Sequence, residues 1–388
     1  MSHAYHEEGI TNLGIIKDAG SLHKSHWLTV SQLNAITATY PSPVYHPNFI
    51  VRILLFIVTL LGLSGITGLF ALAVADAGET IIAIACIMYG SISLYLLEHF
   101  FIRDKKHFKS GVNEALLYHS CAFIVGGLIV LFDLEERTAL WISLAVLSAV
   151  SYRYLDLIST LAALLIFSYL ILSHLYDWGE IWRQVIPFTF IIIFTIIYWQ
   201  IKSFNRKTNS PSWRYNLLIV ETYSLLMIYL AGNYFVVREL SVNMMDLQLA
   251  EGENIPFAYL FYAFTIIIPF LYLFFGIHRK DIVILRTSLL VLAMSVFTFK
   301  YYYGFNQPEI TLTIAGIAVL VITLMMFNYL KVLRNGFTRE NLVPEKWSNL
   351  NAEAFIISQT LGGNQVKTPE GFEGQGGEFG GGGSTGSF

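Results

Sequence analysis

Two long apolar segments separated by a short basic turn constrain this chain more than any other feature. They cover residues 80–102 and 112–132, and the turn between them carries four Lys or Arg residues within 103–109. At about 1.5 Å per residue, each segment is long enough to cross the ~30 Å of hydrocarbon in a bilayer. The pair therefore predicts an antiparallel transmembrane hairpin.

Composition supports a membrane protein over the whole chain. The 388 residues are 55% hydrophobic and only 13% charged, whereas about a quarter of the residues in a soluble domain are charged. The net charge is −3 and no large basic block is present, so nucleic acid is not an expected partner. Cys86 and Cys121 both fall in apolar segments without metal-binding spacing. The sequence indicates no metal site and no cofactor.

Ten apolar segments predict an all-α, polytopic fold with about ten transmembrane helices. They cover residues 50–75, 80–102, 112–132, 138–153, 155–175, 184–202, 215–237, 256–277, 281–300 and 308–330. With this count, 20 of the 24 Lys and Arg residues fall on one side of the membrane. Basic residues concentrate on the cytoplasmic side, so we expect both termini to be cytoplasmic. The expected solvent for the spans is a lipid bilayer.

The remaining chain divides into three segments around the transmembrane domain, 49–333. Residues 1–48 form a cytoplasmic segment in which Thr29 and Gln32 have capping-box spacing, predicting one short amphipathic helix over 29–40. Its apolar face would pack on its own chain, on lipid headgroups or on a partner. Residues 334–361 form a juxtamembrane segment. Residues 362–388 contain 11 of the 29 glycines and are expected to be a disordered tail.

The tail contains one candidate binding feature. Phe379 and the C-terminal Phe388 lie on a Gly-rich tether. A partner's carboxylate-binding groove would hold such a terminus, although an inert tail has the same composition.

Three stretches carry a family resemblance. They are residues 9–40 leading into the first apolar segment, the motif Phe299-Lys-Tyr-Tyr-Tyr303 and the aromatic-terminated ending 379–388. In these the chain resembles uncharacterised bacterial multi-spanning membrane protein families. The resemblance implies a short N-terminal helical segment, eight to twelve apolar helices and a bacterial inner membrane. It implies no catalytic residues.

Ionisable residues inside the apolar segments are the candidate functional site, because such residues are costly in lipid and usually face the bundle interior. Six of them are expected in one layer near the cytoplasmic side: Glu98, His99, Glu114, His119, Glu221 and Arg286. In one interpretation Glu98 and Glu114 share a proton and His119 relays it. In the other, Glu98 extends to the interface, Glu114 pairs with Lys109 or caps a helix, and Glu221 pairs with Arg286.

Two functions are compatible with these features. The first is an accessory or scaffold subunit that binds other membrane proteins. The second is a proton- or cation-coupled transporter of small solutes that uses the Glu and His layer. An enzyme is not favoured, because His99 and His119 have no HExxH partner, and Ser120 is adjacent to His119 in sequence and therefore points in a different direction on a helix. Gly62, Gly65 and Gly68 form a stripe on the first apolar segment that permits close helix packing.

Overall fold

A computed structural model of the chain describes residues 4–208, 212–244 and 253–303, with a few isolated positions between 317 and 328. All of these residues belong to the first of two compact units, Met1–Pro344; the second, Glu345–Phe388, lies outside the described residues. The described part is helical and contains no β-strand, which confirms the all-α prediction.

The described residues form twelve α-helices. They are α1 (Glu7–Lys24), α2 (Val30–Thr39), α3 (Phe49–Val74), α4 (Glu79–Leu96), α5 (Val112–Leu131), α6 (Glu136–Tyr154), α7 (Leu157–Asp177), α8 (Glu180–Thr208), α9 (Arg214–Gly232), α10 (Tyr234–Asn243), α11 (Ala258–His278) and α12 (Ile282–Tyr303). Helix α4 continues into a π-helical segment, Leu97–Asp104.

Eight of these helices are long and apolar enough to cross a membrane: α3, α4 with its π-helical continuation, α5, α7, α8, α9, α11 and α12. This confirms a multi-pass membrane protein. The predicted segment 138–153 is helical as α6, but α6 is less apolar and carries Glu136, Arg137 and Arg153, so it is not among the eight. The last predicted segment, 308–330, lies almost entirely outside the described residues. The count of about ten stays a prediction.

The predicted hairpin is formed by α4 and α5, which pack together through glycines. A Cβ atom on Gly90 of α4 would lie 2.9 Å from the carbonyl oxygen of Ser120 on α5. In the opposite direction, a Cβ atom on Gly127 of α5 would lie 2.8 Å from the carbonyl oxygen of Ala83 on α4. The two backbones thus approach more closely than larger residues would permit.

A two-residue turn, Leu155 and Asp156, reverses the chain between α6 and α7. Leu155 takes the left-handed conformation at φ 52°, and Asp156 then caps α7 by accepting a hydrogen bond from the Ser159 backbone N–H at 2.7 Å. This turn joins the predicted apolar segments 138–153 and 155–175.

Polar side chains join α9, α11 and α12 within the apolar bundle. Asn233, at the start of α10, donates to the Thr298 hydroxyl at 3.0 Å, and the Tyr234 N–H donates to the Thr265 hydroxyl at 2.9 Å. The Ser295 hydroxyl donates to the Thr265 carbonyl at 2.8 Å. Since these groups are buried and bonded to one another, they fix helix positions without exposing polar atoms to lipid.

The N-terminal segment contains two helices rather than the one predicted. The Thr29–Gln32 capping box of α2 is present, and α1 precedes it with His6 accepting a hydrogen bond from the Gly9 N–H at 3.1 Å. Helix α1 packs against α2, yet no residue of α2 is buried. The segment after them is tied to the α4–α5 turn, because the Tyr45 N–H donates to Lys106 and the Tyr45 carbonyl accepts from Phe108, both at 2.9 Å.

Candidate functional site

Charged side chains gather where α3, α5, α7, α9 and α12 begin and where α4, α6 and α8 end. Ion pairs and hydrogen bonds join these helix ends to one another, so they lie on the same side of the bundle. We call this set the charged end; it consists of Arg52, Glu98, Glu114, Arg153, Asp156, Lys202, Glu221 and Asp281.

Arg52 and Glu114 join α3 to α5. One carboxylate oxygen of Glu114 pairs with the Arg52 guanidinium, and the other accepts the Gly111 backbone N–H at 2.8 Å. Glu114 thus both caps the first turn of its own helix and binds a cation on the neighbouring one. Its side chain is only 9% exposed, so the carboxylate is stabilised by these two partners rather than by water.

Glu98 and Arg153 join the π-helical segment to the end of α6. Glu98 pairs with the Arg153 guanidinium and also accepts a hydrogen bond from the Tyr154 hydroxyl at 3.1 Å. The backbone carbonyl of Arg153 accepts the Ala4 N–H at 2.7 Å. This ion pair therefore lies where the N-terminal segment contacts the bundle.

Asp156 joins α5, α7 and α9. Its carboxylate accepts the Tyr118 hydroxyl at 2.9 Å, in addition to capping α7. Its backbone carbonyl accepts from the Thr160 hydroxyl at 2.6 Å and from the Asn216 side-chain amide at 3.1 Å. The residue is 7% exposed and holds three helix starts together.

Lys202 near the end of α8 faces two carboxylates. It pairs with Glu221 on α9 and, at 2.6 Å, with Asp281 at the start of α12. Burial alone would raise the pKa of Asp281, but the bond to Lys202 and the Ile284 and Val283 backbone N–H groups hold that pKa below its ordinary value. One cation therefore neutralises part of two negative charges.

The predicted carboxyl pair is replaced by separate ion pairs. Glu98 and Glu114 each bind their own arginine, so the expected geometry for a shared proton is not formed. Glu114 does cap a helix, as the other interpretation held, but its cation is Arg52 instead of Lys109. Likewise Glu221 binds Lys202 instead of Arg286.

The other three predicted residues lie apart from these pairs. His99 stacks on Tyr95 with ring centroids 4.0 Å apart. His119 lies beside Tyr89 and Phe123, with Nε2 3.5 Å from the Thr67 hydroxyl. Arg286 is exposed on α12. The predicted tail residues, Phe379 and Phe388, lie outside the described residues.

The sequence analysis missed the cations that complete the ion pairs. Arg52 and Lys202 entered the prediction only as topological charges, the spacing of Arg153 allowed a local pair with Asp156, and Asp281 was not predicted to have a partner. One feature of the sequence could have identified these cations. Arg52, Arg153 and Lys202 lie near helix ends at the same expected membrane depth as Glu114, Glu98 and Glu221. Among the described residues, no three His, Cys, Asp or Glu side chains converge as a metal site would require.

The loop between the π-helical segment and α5 contains His107 and Lys109. It contacts His46 of the N-terminal segment. The His46 Nδ1–H donates to the Phe108 carbonyl at 2.9 Å. Burial, together with the charge of Lys17, lowers the pKa of His46 to about 4, so this imidazole is neutral at pH 7. Burial also lowers the pKa values of His107 and Lys109.

No protein family, curated protein or solved structure matches this chain. The charged end must therefore be interpreted from its own chemistry. Its carboxylates are bound by cations, hydroxyls and backbone N–H groups that come from neighbouring helices. Such an arrangement holds the helix ends in fixed positions.

Proposed function

We propose that this chain is an accessory or scaffold subunit of a bacterial inner membrane, with ten spans and both termini in the cytoplasm. It binds other membrane proteins through the outward face of α3. The helical, apolar architecture fits a bilayer, and the sorting of basic residues in the sequence supports the orientation.

The observation that carries the proposal is the open glycine face of α3. Only 6% of the apolar window of α3 is buried, the lowest share of the eight candidate spans. Gly62, Gly65 and Gly68 lie on this helix, and a Cβ atom at any of them would meet nothing within 4 Å. Glycines that contact no other helix in the described part of the chain are suited to the close approach of a helix from another protein.

The charged end supports a structural role as well. Three acids of the predicted layer are bound by arginine or lysine from a neighbouring helix. A carrier that exchanges protons needs carboxylates that can change partners, whereas a scaffold needs fixed helix positions. The observed pairing is the arrangement that a scaffold requires.

Photocrosslinking in intact cells tests the proposal. A benzophenone amino acid replaces Leu69, which is 71% exposed on α3, in the otherwise unchanged chain. We expect a discrete protein adduct that disappears in Gly65→Leu. Gly126→Leu on α5 is the matched control, because Gly126 also has nothing within 4 Å of its Cβ position, and it should keep the adduct. Adducts with lipid alone, or a protein adduct unchanged by Gly65→Leu, would overturn the proposal.

A second candidate, a proton- or cation-coupled transporter, is favoured by one observation. Lys202 faces both Glu221 and Asp281, so this cluster has one negative charge more than its cation neutralises. An added proton or small cation would complete the balance.

Flux measurements separate the two candidates. In proteoliposomes with an internal pH dye, a transporter would move protons or cations, and Glu221→Gln would reduce that flux at least tenfold. Glu180→Gln, at an exposed position at the start of α8, is the control and should leave flux unchanged. Absence of flux in the unmodified protein would rule this candidate out.

A further inference from the structure

A cavity of 410 Å³ lies among α6, α7, α8 and α9, beside the charged end. Its size falls in the ~300–1,000 Å³ range of ligand-binding pockets. Three polar residues at the charged end of these helices line one part: Ser151, Thr160 and Asn216. Leu144, Leu164 and Phe167 line the part farther into the membrane-spanning region. The cavity is therefore polar at one end and apolar along its length.

The hydrogen bonds among these polar residues leave one acceptor atom, Asn216 Oδ1, without a partner in the described part of the chain. Asn216 is 3% exposed, and its amide nitrogen donates to the Asp156 carbonyl at 3.1 Å and to the Thr160 hydroxyl at 2.7 Å. Rotating this amide would turn its oxygen towards the Asp156 carbonyl, so the observed orientation is the favourable one. The Asn216 Oδ1 atom then has no hydrogen-bond partner in the described part of the chain. A buried acceptor without a donor costs about 1–3 kcal/mol.

The two hydroxyl groups in this hydrogen-bond network are already committed as donors. The Thr160 hydroxyl donates to the Asp156 carbonyl at 2.6 Å, and the Ser151 hydroxyl lies 2.6 Å from Thr160 Oγ1, which it can reach only as a donor. A ligand headgroup must therefore bring its own donor. None of the described residues that line the cavity carries a charge, so a phosphate or carboxylate headgroup would lose hydration without gaining a cation from them.

We infer that this cavity binds a neutral, single-chain lipid alcohol of the monoacylglycerol class. Its hydroxyl donates to Asn216 Oδ1, and its hydrocarbon chain lies along Leu144, Leu164 and Phe167. The surrounding bilayer supplies the ligand, since the cavity lies between membrane-spanning helices. This site is separate from the glycine face of α3, so it stands whether or not that face binds a partner.

The first test varies the ligand and measures the binding of three lipids to the purified full-length chain in detergent. The probes are radiolabelled monooleoylglycerol, methyl oleate, which has the same chain without a hydroxyl, and lysophosphatidylglycerol, which is anionic. We expect saturable binding of one monooleoylglycerol per chain, at least tenfold tighter than binding of either of the other two. Equal binding of methyl oleate, or tighter binding of the anionic lipid, would overturn the inference.

Two adjacent substitutions test the location without disturbing the Asn216 hydrogen bonds. Leu164→Trp fills the cavity, whereas Leu165, which is 53% exposed and does not line it, provides the control Leu165→Trp. We expect Leu164→Trp to weaken monooleoylglycerol binding at least tenfold and Leu165→Trp to leave it unchanged. Both proteins must first show the elution profile and helical content of the unmodified chain. Undiminished binding by folded Leu164→Trp would contradict the assignment.

Discussion

A Cβ atom on Gly111 would lie 2.1 Å from the carbonyl oxygen of Arg52. Gly111 also takes φ +93°, a backbone conformation that favours glycine. Its N–H donates to Glu114, which binds the Arg52 guanidinium. The starts of α3 and α5 therefore touch through backbone and side chains at once, and residue 111 has no space for a side chain.

We expect Gly111→Ala to destabilise the protein strongly. The left-handed backbone alone costs about 1–3 kcal/mol for a non-glycine residue, and the clash with the Arg52 backbone adds to this cost. Thermal unfolding in detergent measures the loss. Gly179→Ala is the control, because Gly179 has φ +110° with nothing within 4 Å of its Cβ position. If the two variants lost equal stability, the contact with Arg52 would be unimportant.

Substitutions at two neighbouring glycines on α5 should differ sharply in their effect on stability. Gly127→Leu forces its side chain against the Ala83 carbonyl and Ile87 on α4, whereas Gly126→Leu enters open space. Overpacking of this kind costs about 1–3 kcal/mol or more. Denaturation in mixed micelles should show this loss for Gly127→Leu and almost none for Gly126→Leu. The reverse order would contradict the glycine packing of the hairpin.

The Arg52–Glu114 pair should show strong coupling in a double-mutant cycle. Glu114→Gln leaves Arg52 without its counter-charge at a largely buried site, and breaking a buried pair costs about 3–5 kcal/mol, less here because Arg52 is 35% exposed. The cycle with Arg52→Gln should give a coupling above ~1 kcal/mol. Arg137 and Asp177, 47% and 44% exposed, form the control pair, which should couple by less than ~1 kcal/mol. Equal coupling would show that burial is not decisive.

Acid should loosen the N-terminal segment. The pKa of His46 is about 4 in the folded protein, below its ordinary value of 6.5, so between these pH values the unfolded form binds a proton that the folded form does not. Stability from this group is complete above pH 6.5 and falls as the pH drops through this window, by up to tenfold in the opening equilibrium per pH unit.

Hydrogen exchange of residues 4–48 in detergent measures this opening. His46→Asn keeps a side-chain N–H for the Phe108 carbonyl and removes the titration, so its protection factors, which correct for the intrinsic exchange rate at each pH, should depend less on pH. Burial lowers the pKa of His107 as well, and this residue contributes the remaining dependence in the same direction. Protection factors of the unmodified chain that rise below pH 6 would contradict the assignment.

The sequence predicted elements whose cause is local. Runs of apolar residues predicted the spans, and Thr29 and Gln32 predicted the start of α2. Each depends on residues within one turn or one segment. Helix α1 was missed because its cap is a histidine, His6, rather than Ser, Thr, Asp or Asn.

Partners across the bundle could not be predicted in the same way. The depth of Glu98 and Glu114 follows from their spacing to basic residues, but the direction in which each side chain points does not. Glu98 lies in a π-helical segment, where the wider turn changes the angular positions expected for an α-helix. Its side chain therefore meets Arg153 of α6 instead of Glu114. The count of about ten spans stays a prediction, and at α6 three charged residues lower the apolar character of the helix.

The ion pairs of the charged end also constrain the order in which the helices can assemble during synthesis. Arg52 is synthesised 62 residues before Glu114, and Glu98 precedes Arg153 by 55 residues. At roughly 5–20 residues per second, Arg52 waits about 3–12 s after leaving the ribosome before its partner exists. During that interval the guanidinium needs water or lipid headgroups. Insertion of each later hairpin thus supplies the ion-pair partner that fixes the position of the helix synthesised before it.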